Sequence, residues 1–160
     1  MLDSISRNLD VQIKIGGRIA AEQIPDFEEI LNTNKNISYS GPYVSGDIAE
    51  LFASCHFIWA IDFYEEGENS AWLLPNRLYD AVAFKRIPIA LTSVETGRWL
   101  KRYMAGVLVT DPVTEITHLL ENLTEEEFAK LTEEVNAVPK AAVFHAPGSL
   151  DFVVGQASRD

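Results

Sequence analysis

Between residues 62 and 74 the chain gathers Asp62, Glu65, Glu66, Glu68, Asn69 and Ser70, then passes through Pro75-Asn76 into a helical pattern. Carboxylates of this kind accept paired hydrogen bonds from vicinal hydroxyls, as on a sugar or a ribose. The helix start behind them offers unpaired amides and the positive end of the helix dipole, which suits an anion such as a diphosphate. The spacing alone supports a solvated acidic loop equally well. Two glycine turns, Gly16-Gly17-Arg18 and Gly41-Pro42-Tyr43-Val44, hold further residues able to touch a ligand. Tyr43 is suited to stacking on a flat ring or to a plain rim position. Thr92, Ser93 and Thr96 precede another helix and are read as caps. His56, His118 and His145 lack metal-ligand spacing, so no metal site is expected. The single cysteine, Cys55, stands in an apolar run and is read as a small core residue; Trp59 likewise.

The elements that must position these groups follow from hydrophobic periodicity. Strands are predicted at residues 10–15, 36–40, 56–61, 87–91 and 107–110, the third and fourth apolar enough to be buried on both faces. Helices are predicted at 24–32, 47–54 (capped by Asp47), 76–84, 95–104, 113–121 and 124–135. Thr124 and Glu127 make a capping box for the last of these. Strictly alternating strands and helices require right-handed crossovers, so the expected fold is a doubly wound parallel α/β sheet with helices on both faces. In such sheets ligands sit outside the carboxyl ends of the strands, where all the loops named above lie.

The 160 residues suit one domain with a substantial core, and 47% hydrophobic with 23% charged residues is a globular composition. A net charge of -11 repels phosphate backbones and anionic lipid, which disfavours general nucleic-acid binding. No apolar run reaches the roughly 20 residues needed to span a bilayer. A reduced, cytoplasmic setting is expected.

Asn36-Ile-Ser-Tyr-Ser-Gly-Pro-Tyr43 followed by Ile48-Ala-Glu-Leu-Phe-Ala-Ser-Cys-His-Phe-Ile-Trp59 resembles glycosyltransferase family 4. Glu66-Gly67 is similar to that family's acidic Glu-Gly loop. Pro75-Asn-Arg-Leu-Tyr-Asp-Ala-Val-Ala83 resembles its Pro-x-Lys-x-x-Glu-Ala-x-Ala helix, and Pro88-Ile89-Ala90 its Pro-Val-Ile strand. Gly106-Val-Leu-Val109 and Asp111-Pro112 resemble its closing segment. The likeness covers roughly residues 10 to 135. Three departures stand out. The second acid of the family is Asp80 here. Trp72 stands at the usual interval for the first acid, so Glu66 takes that role only if the loop carries an insertion. Lys85-Arg86 replaces the glycine before the Pro-Val-Ile strand.

The resemblance implies the Rossmann-like donor-binding half of a GT-B enzyme. Such an enzyme transfers a hexose, with retention, from a nucleoside diphosphate sugar, UDP-sugar above all, to an acceptor in polysaccharide or glycolipid biosynthesis. No cofactor is implied. By this likeness Glu66 is the catalytic acid facing the sugar and Asp80 the acceptor of the ribose hydroxyls. Asn76, Asn69 and Ser70 would serve the phosphates, and Gly41, Tyr43 and Val44 the base. The family's opening strand-loop-helix, with its Arg and Lys, has no counterpart before Asp10; Gly17-Arg18 and Arg77 are then the cationic means of meeting the diphosphate. Residues 1–160 are thus expected to be one nucleotide-sugar-binding domain, with 136–160 a weakly patterned tail. It would partner an N-terminal acceptor domain, be inactive alone, and belong to an enzyme at the inner face of the membrane. Two other readings remain: a flavodoxin-like signalling module, for which the acidic pair and the lysine are lacking, and a GT-B sugar-nucleotide epimerase.

Overall fold

The computed structural model describes residues 1–19, 22, 24–62 and 72–144. Strand β1 (Ile13–Ile15) pairs in parallel with β2 (Ile37–Tyr39), and β3 (Phe57–Trp59), β4 (Ile87–Leu91) and β5 (Val107–Val109) form a second parallel sheet in that order. The helices are α1 (Leu2–Asn8), α2 (Phe27–Thr33), α3 (Ile48–Ala53), α4 (Asn76–Ala83), α5 (Glu95–Tyr103), α6 (Pro112–Asn122) and α7 (Glu125–Asn136). The α/β class with parallel strands and flanking helices is as expected. Among the described residues, however, the ladder is divided into two strands and three, because β1 bonds to β2 and β3 to β4.

β4 is the centre of the larger sheet, and its first four residues are buried. Consecutive residues of a strand point to opposite faces. Ala90 joins Leu78 and Val82 of α4, Trp99 and Leu100 of α5, and Val135 of α7. Ile89 faces the other way, into a cluster with Ile5 of α1, Ile61, Val109 and Ile116 of α6. β4 thus carries helices on both faces. β3 is shorter than its apolar run: residues 57–59 are only half-buried, and the full burial falls on Ala60 and Ile61 just beyond the ladder. Trp59 packs against the second cluster from a half-buried position, and Cys55 is half-buried with its Sγ donating to Leu51 O at 3.3 Å.

Helix α1 has no counterpart in the sequence reading. It buries Ile5 against the larger sheet and binds the smaller one through polar groups. Asn34 Nδ2 donates to Ser6 Oγ and to Asp3 Oδ1, both at 2.8 Å, and Asn36 Nδ2 donates to Ser6 O at 2.8 Å. Arg7 and then Asn34 hydrogen-bond the Asp3 carboxylate and hold its pKa below the ordinary value.

Two helix ends differ from expectation. Asp47 does not cap α3; its Oδ2 accepts from Val44 N at 3.0 Å, back across the short 3-10 turn Ser45–Asp47. Thr92, Ser93 and Thr96 do not cap α5, whose N-cap is Val94 with no side-chain hydrogen bond; Thr96 is buried and the Thr92 hydroxyl pairs with that of Thr110 at 3.0 Å. The Thr124–Glu127 capping box forms as predicted.

Lys85 closes α4 in the left-handed conformation, φ 57°. Arg86 N donates to Ala81 O at 2.8 Å and Lys85 N to Val82 O at 3.1 Å, the bonding of a Schellman end, which ordinarily carries glycine. The position at which the sequence lacks the expected glycine therefore keeps the glycine conformation. Lys85→Gly should raise the denaturant midpoint, by about 1 kcal/mol of stability; a lower midpoint would contradict this account of the turn. At Gly97 the constraint is contact: a β-carbon would lie 2.0 Å from Leu91 O. Gly97→Ala should cost about 3 kcal/mol in urea unfolding, and a loss under about 0.5 kcal/mol, the scale of an ordinary surface change, would show that α5 does not sit this close.

Candidate functional site

The loops at the carboxyl ends of the strands were the expected place for a ligand, and the expected residues fall there in two groups. The first joins the loops after β1 and β2. Gly17 N donates to Gly41 O at 2.9 Å, and the Tyr39 hydroxyl donates to Gly17 O at 2.7 Å. Both glycines take positive φ, 124° and 79°, which lets the two turns meet without side-chain interference. The Tyr43 ring lies beside Gly16, where an added β-carbon would be 3.2 Å from Tyr43 Cδ1. Tyr43 is 45% exposed and Val44 70% exposed, so one ring face backed by a glycine turn and one apolar side chain face outward. Arg18 is exposed, with no hydrogen bond or ion pair among the described residues.

The second group lies where β3 gives way to α4. Arg77, in the first turn of α4, donates from Nη2 to Ile61 O at 3.0 Å and pairs with Asp62 Oδ2 at 3.2 Å. Asn76 is exposed at the first helical position. Asp80 follows one turn later. Its carboxylate makes no hydrogen bond and no ion pair among the described residues, and partial burial raises its pKa. Glu66, Asn69 and Ser70 lie outside the described residues.

The open helix starts are unevenly distributed. At α6, Asp111 accepts from Val113 N and Thr114 N, and Glu115 Oε1 takes the amides of Thr110 at 2.8 Å and Asp111 at 2.7 Å. At α7 the Thr124–Glu127 box does the same work. The N-caps of α4 and α5, Pro75 and Val94, provide no side-chain acceptor. The starts of α1, α2 and α3 likewise have no side-chain cap hydrogen bond, so among the described helices only α6 and α7 are capped; the start of α4 is the one that lies a turn from Asp80. Such amides are available to an anion.

Among the described residues no cluster of three or more His, Cys, Asp and Glu side chains is placed to hold a metal ion. His56 instead stacks edge-on with Phe128 at 5.6 Å. Among those residues no helix is long and apolar enough to cross a membrane.

Sequence reasoning placed Asp80 and the glycine turns after the strands, where they lie, but missed the bond from Arg77 to Ile61 and Asp62. The only available signal was a cation in the first turn of a helix, where the dipole disfavours it.

The pH dependence of stability separates the carboxylates by sign. Asp3, Asp111 and Glu127 have lowered pKa values, from hydrogen bonds to Arg7, to Thr114 and to Thr124 respectively. Their contribution is present above the unfolded pKa and is lost as pH falls through the folded one. Asp80 acts oppositely. The fold binds its proton more tightly than the unfolded chain does, so its cost is removed as pH falls through the raised pKa. Asp80→Asn should therefore raise stability at pH 7, and the gain should shrink as the pH is lowered. A urea midpoint at pH 7 below that of the parent would mean that the ionised carboxylate is stabilising after all.

No protein-family model matches the chain. It is similar to the succinoglycan biosynthesis protein ExoL of Rhizobium meliloti (strain 1021), with 38% identity over 140 residues. The alignment takes in 85% of this chain and 35% of that protein, so the chain spans about a third of the length of the relative it matches.

Proposed function

We propose that the chain is the donor-binding part of a retaining GT-B glycosyltransferase of polysaccharide or glycolipid biosynthesis, with a nucleoside diphosphate sugar as its ligand. The observation that carries this reading is Asp80, a carboxylate partly withdrawn from water without a hydrogen-bonding partner among the described residues. A carboxylate in that state costs stability, and a ligand that donates two hydroxyls to it recovers the cost. The 2′ and 3′ hydroxyls of a ribose are such a pair. One turn earlier, the uncapped amides of α4 are suited to the diphosphate joined to that ribose. Tyr43, set against Gly16, is suited to the base, with Gly41 and Val44 beside it. Similarity to a protein named for succinoglycan biosynthesis supports a glycan product.

In this reading Asn76, Asn69, Ser70 and Arg18 contact phosphate oxygens, with Gly17 shaping the turn that carries Arg18. Glu66 faces the transferred sugar. Uncapped amides aimed at the leaving diphosphate lower the barrier by stabilising charge that grows as the sugar departs. The acceptor is held by a separate N-terminal domain, for which the greater length of the relative leaves room.

Titration of isotope-labelled protein with UDP, GDP, ADP and TDP should give saturable amide shifts with one nucleotide, centred on residues 41–45 and 72–80. Asp80→Ala should weaken that binding about tenfold or more, the loss of hydrogen bonds to a charged group. Binding of none of the four, or the same affinity in Asp80→Ala, would remove the reading.

A further inference from the structure

Arg77 is the cation nearest the uncapped start of α4, and its phosphate-binding role would follow if its guanidinium were free. It is not free. Nη2 is taken by the Ile61 carbonyl at 3.0 Å and by Asp62 at 3.2 Å, and Nε is buried with no acceptor among the described residues. Nη2 is therefore committed to the end of β3. A cation in the first turn of a helix also opposes the dipole, so its presence calls for a compensating contact. The Ile61 carbonyl supplies one. Ile61 is 4% exposed and stands beyond the last residue of β3, where the ladder no longer provides its carbonyl with a partner strand.

We infer that Arg77 is a latch: it ties the first turn of α4 to the end of β3 and so closes the base of the loop between them. Its effect on a ligand is exerted through position. Asp80 lies one turn further along the same helix, so where Arg77 holds α4 it also sets the carboxylate relative to the end of the sheet. Asp62 neutralises the guanidinium and adds the second tie. Both side chains are about 40% exposed, so the carbonyl bond is the stronger of the two ties and the ion pair the weaker. The inference rests on the nucleotide-binding reading only for the affinity measurements below.

The test uses the chain as it stands, with Arg77→Met, Asp62→Asn, their combination and Arg77→Lys. Native-state amide exchange is followed at Leu78, bonded to Pro75 O, and at Ala60, bonded to Ile89 O; Phe84, bonded to Asp80 O at the far end of α4, is the control. Arg77→Met should speed exchange about tenfold at Leu78 and Ala60 and leave Phe84 unchanged. Asp62→Asn should act in the same direction, and the double variant should fall short of the sum of the two single effects, since they share a contact. Arg77→Lys, which keeps the charge and loses the fork, should fall between parent and Arg77→Met. Unchanged exchange in Arg77→Met, or an equal rise at all three amides, would overturn the latch.

Affinity for UDP and for uridine then separates the two roles. A latch lowers both by the same factor, whereas a phosphate ligand lowers UDP alone, and that outcome would also overturn the proposal. If the parent protein binds neither, the nucleotide reading falls and the exchange measurements still decide the latch.

Discussion

At Gly97 the backbone of α5 comes so near the Leu91 carbonyl that no β-carbon fits between them. This contact sets how α5 leaves the sheet, and much else is referred to it. α5 brings Trp99 and Leu100 over one face of β4, and against them pack Leu78 and Val82 of α4 and Val135 of α7. Trp99 lies between Tyr79 and Tyr103, with ring centroids 6.1 Å and 4.5 Å away. Tyr79 precedes Asp80 in the chain, so the packing that begins at Gly97 reaches the neighbour of the residue on which the proposed ribose contact depends. A shift of α5 would be felt there through close-packed side chains, which transmit displacement rather than absorb it.

Two economies of hydrogen bonding divide the helix starts of the larger sheet. The helices after β5 satisfy their own amides with Asp111, Glu115, Thr124 and Glu127. The helices after β3 and β4 begin at Pro75 and Val94 and do not. Beside the uncapped start of α4 stands an acid, Asp80, whose pKa is raised by partial burial. Neither feature stabilises the empty protein, and sites of function are where such local disagreement is expected.

The sequence was legible where one local rule decided the outcome. β4 runs from Ile87 to Leu91 as its apolar run predicts, and the Thr124–Glu127 box starts α7. It was less legible where the outcome depends on residues far apart. The run 56–61 has no signal for where its ladder ends, because that depends on the register with β4. Alternating strands and helices specify a parallel architecture without specifying that β1 and β3 belong to separate ladders. Helix α1 carries Leu2 and Ile5 at helical spacing, with Leu9 just past its end, but seven residues are too few for that pattern to stand out. The position of Asp80, one turn into the helix after β3, was legible from the helical pattern that begins at Pro75. The Arg77–Asp62 pair spans a loop, and no periodicity relates the two positions.

The polar contacts of α1 make it part of the same packed unit as the strands. Asn34 is 4% exposed and Ser6 fully buried, and each is the other's partner at 2.8 Å. A boundary drawn at the first strand would strip the Asn34 amide of Ser6 and Asp3, and Asn36 of the Ser6 carbonyl, leaving donors facing the vacated space. The same cut would remove Ile5 from the cluster under β4. The first nine residues are therefore a clasp of the α/β unit, joined by hydrogen bonds to the residues leading into the smaller sheet and by apolar contact to the larger.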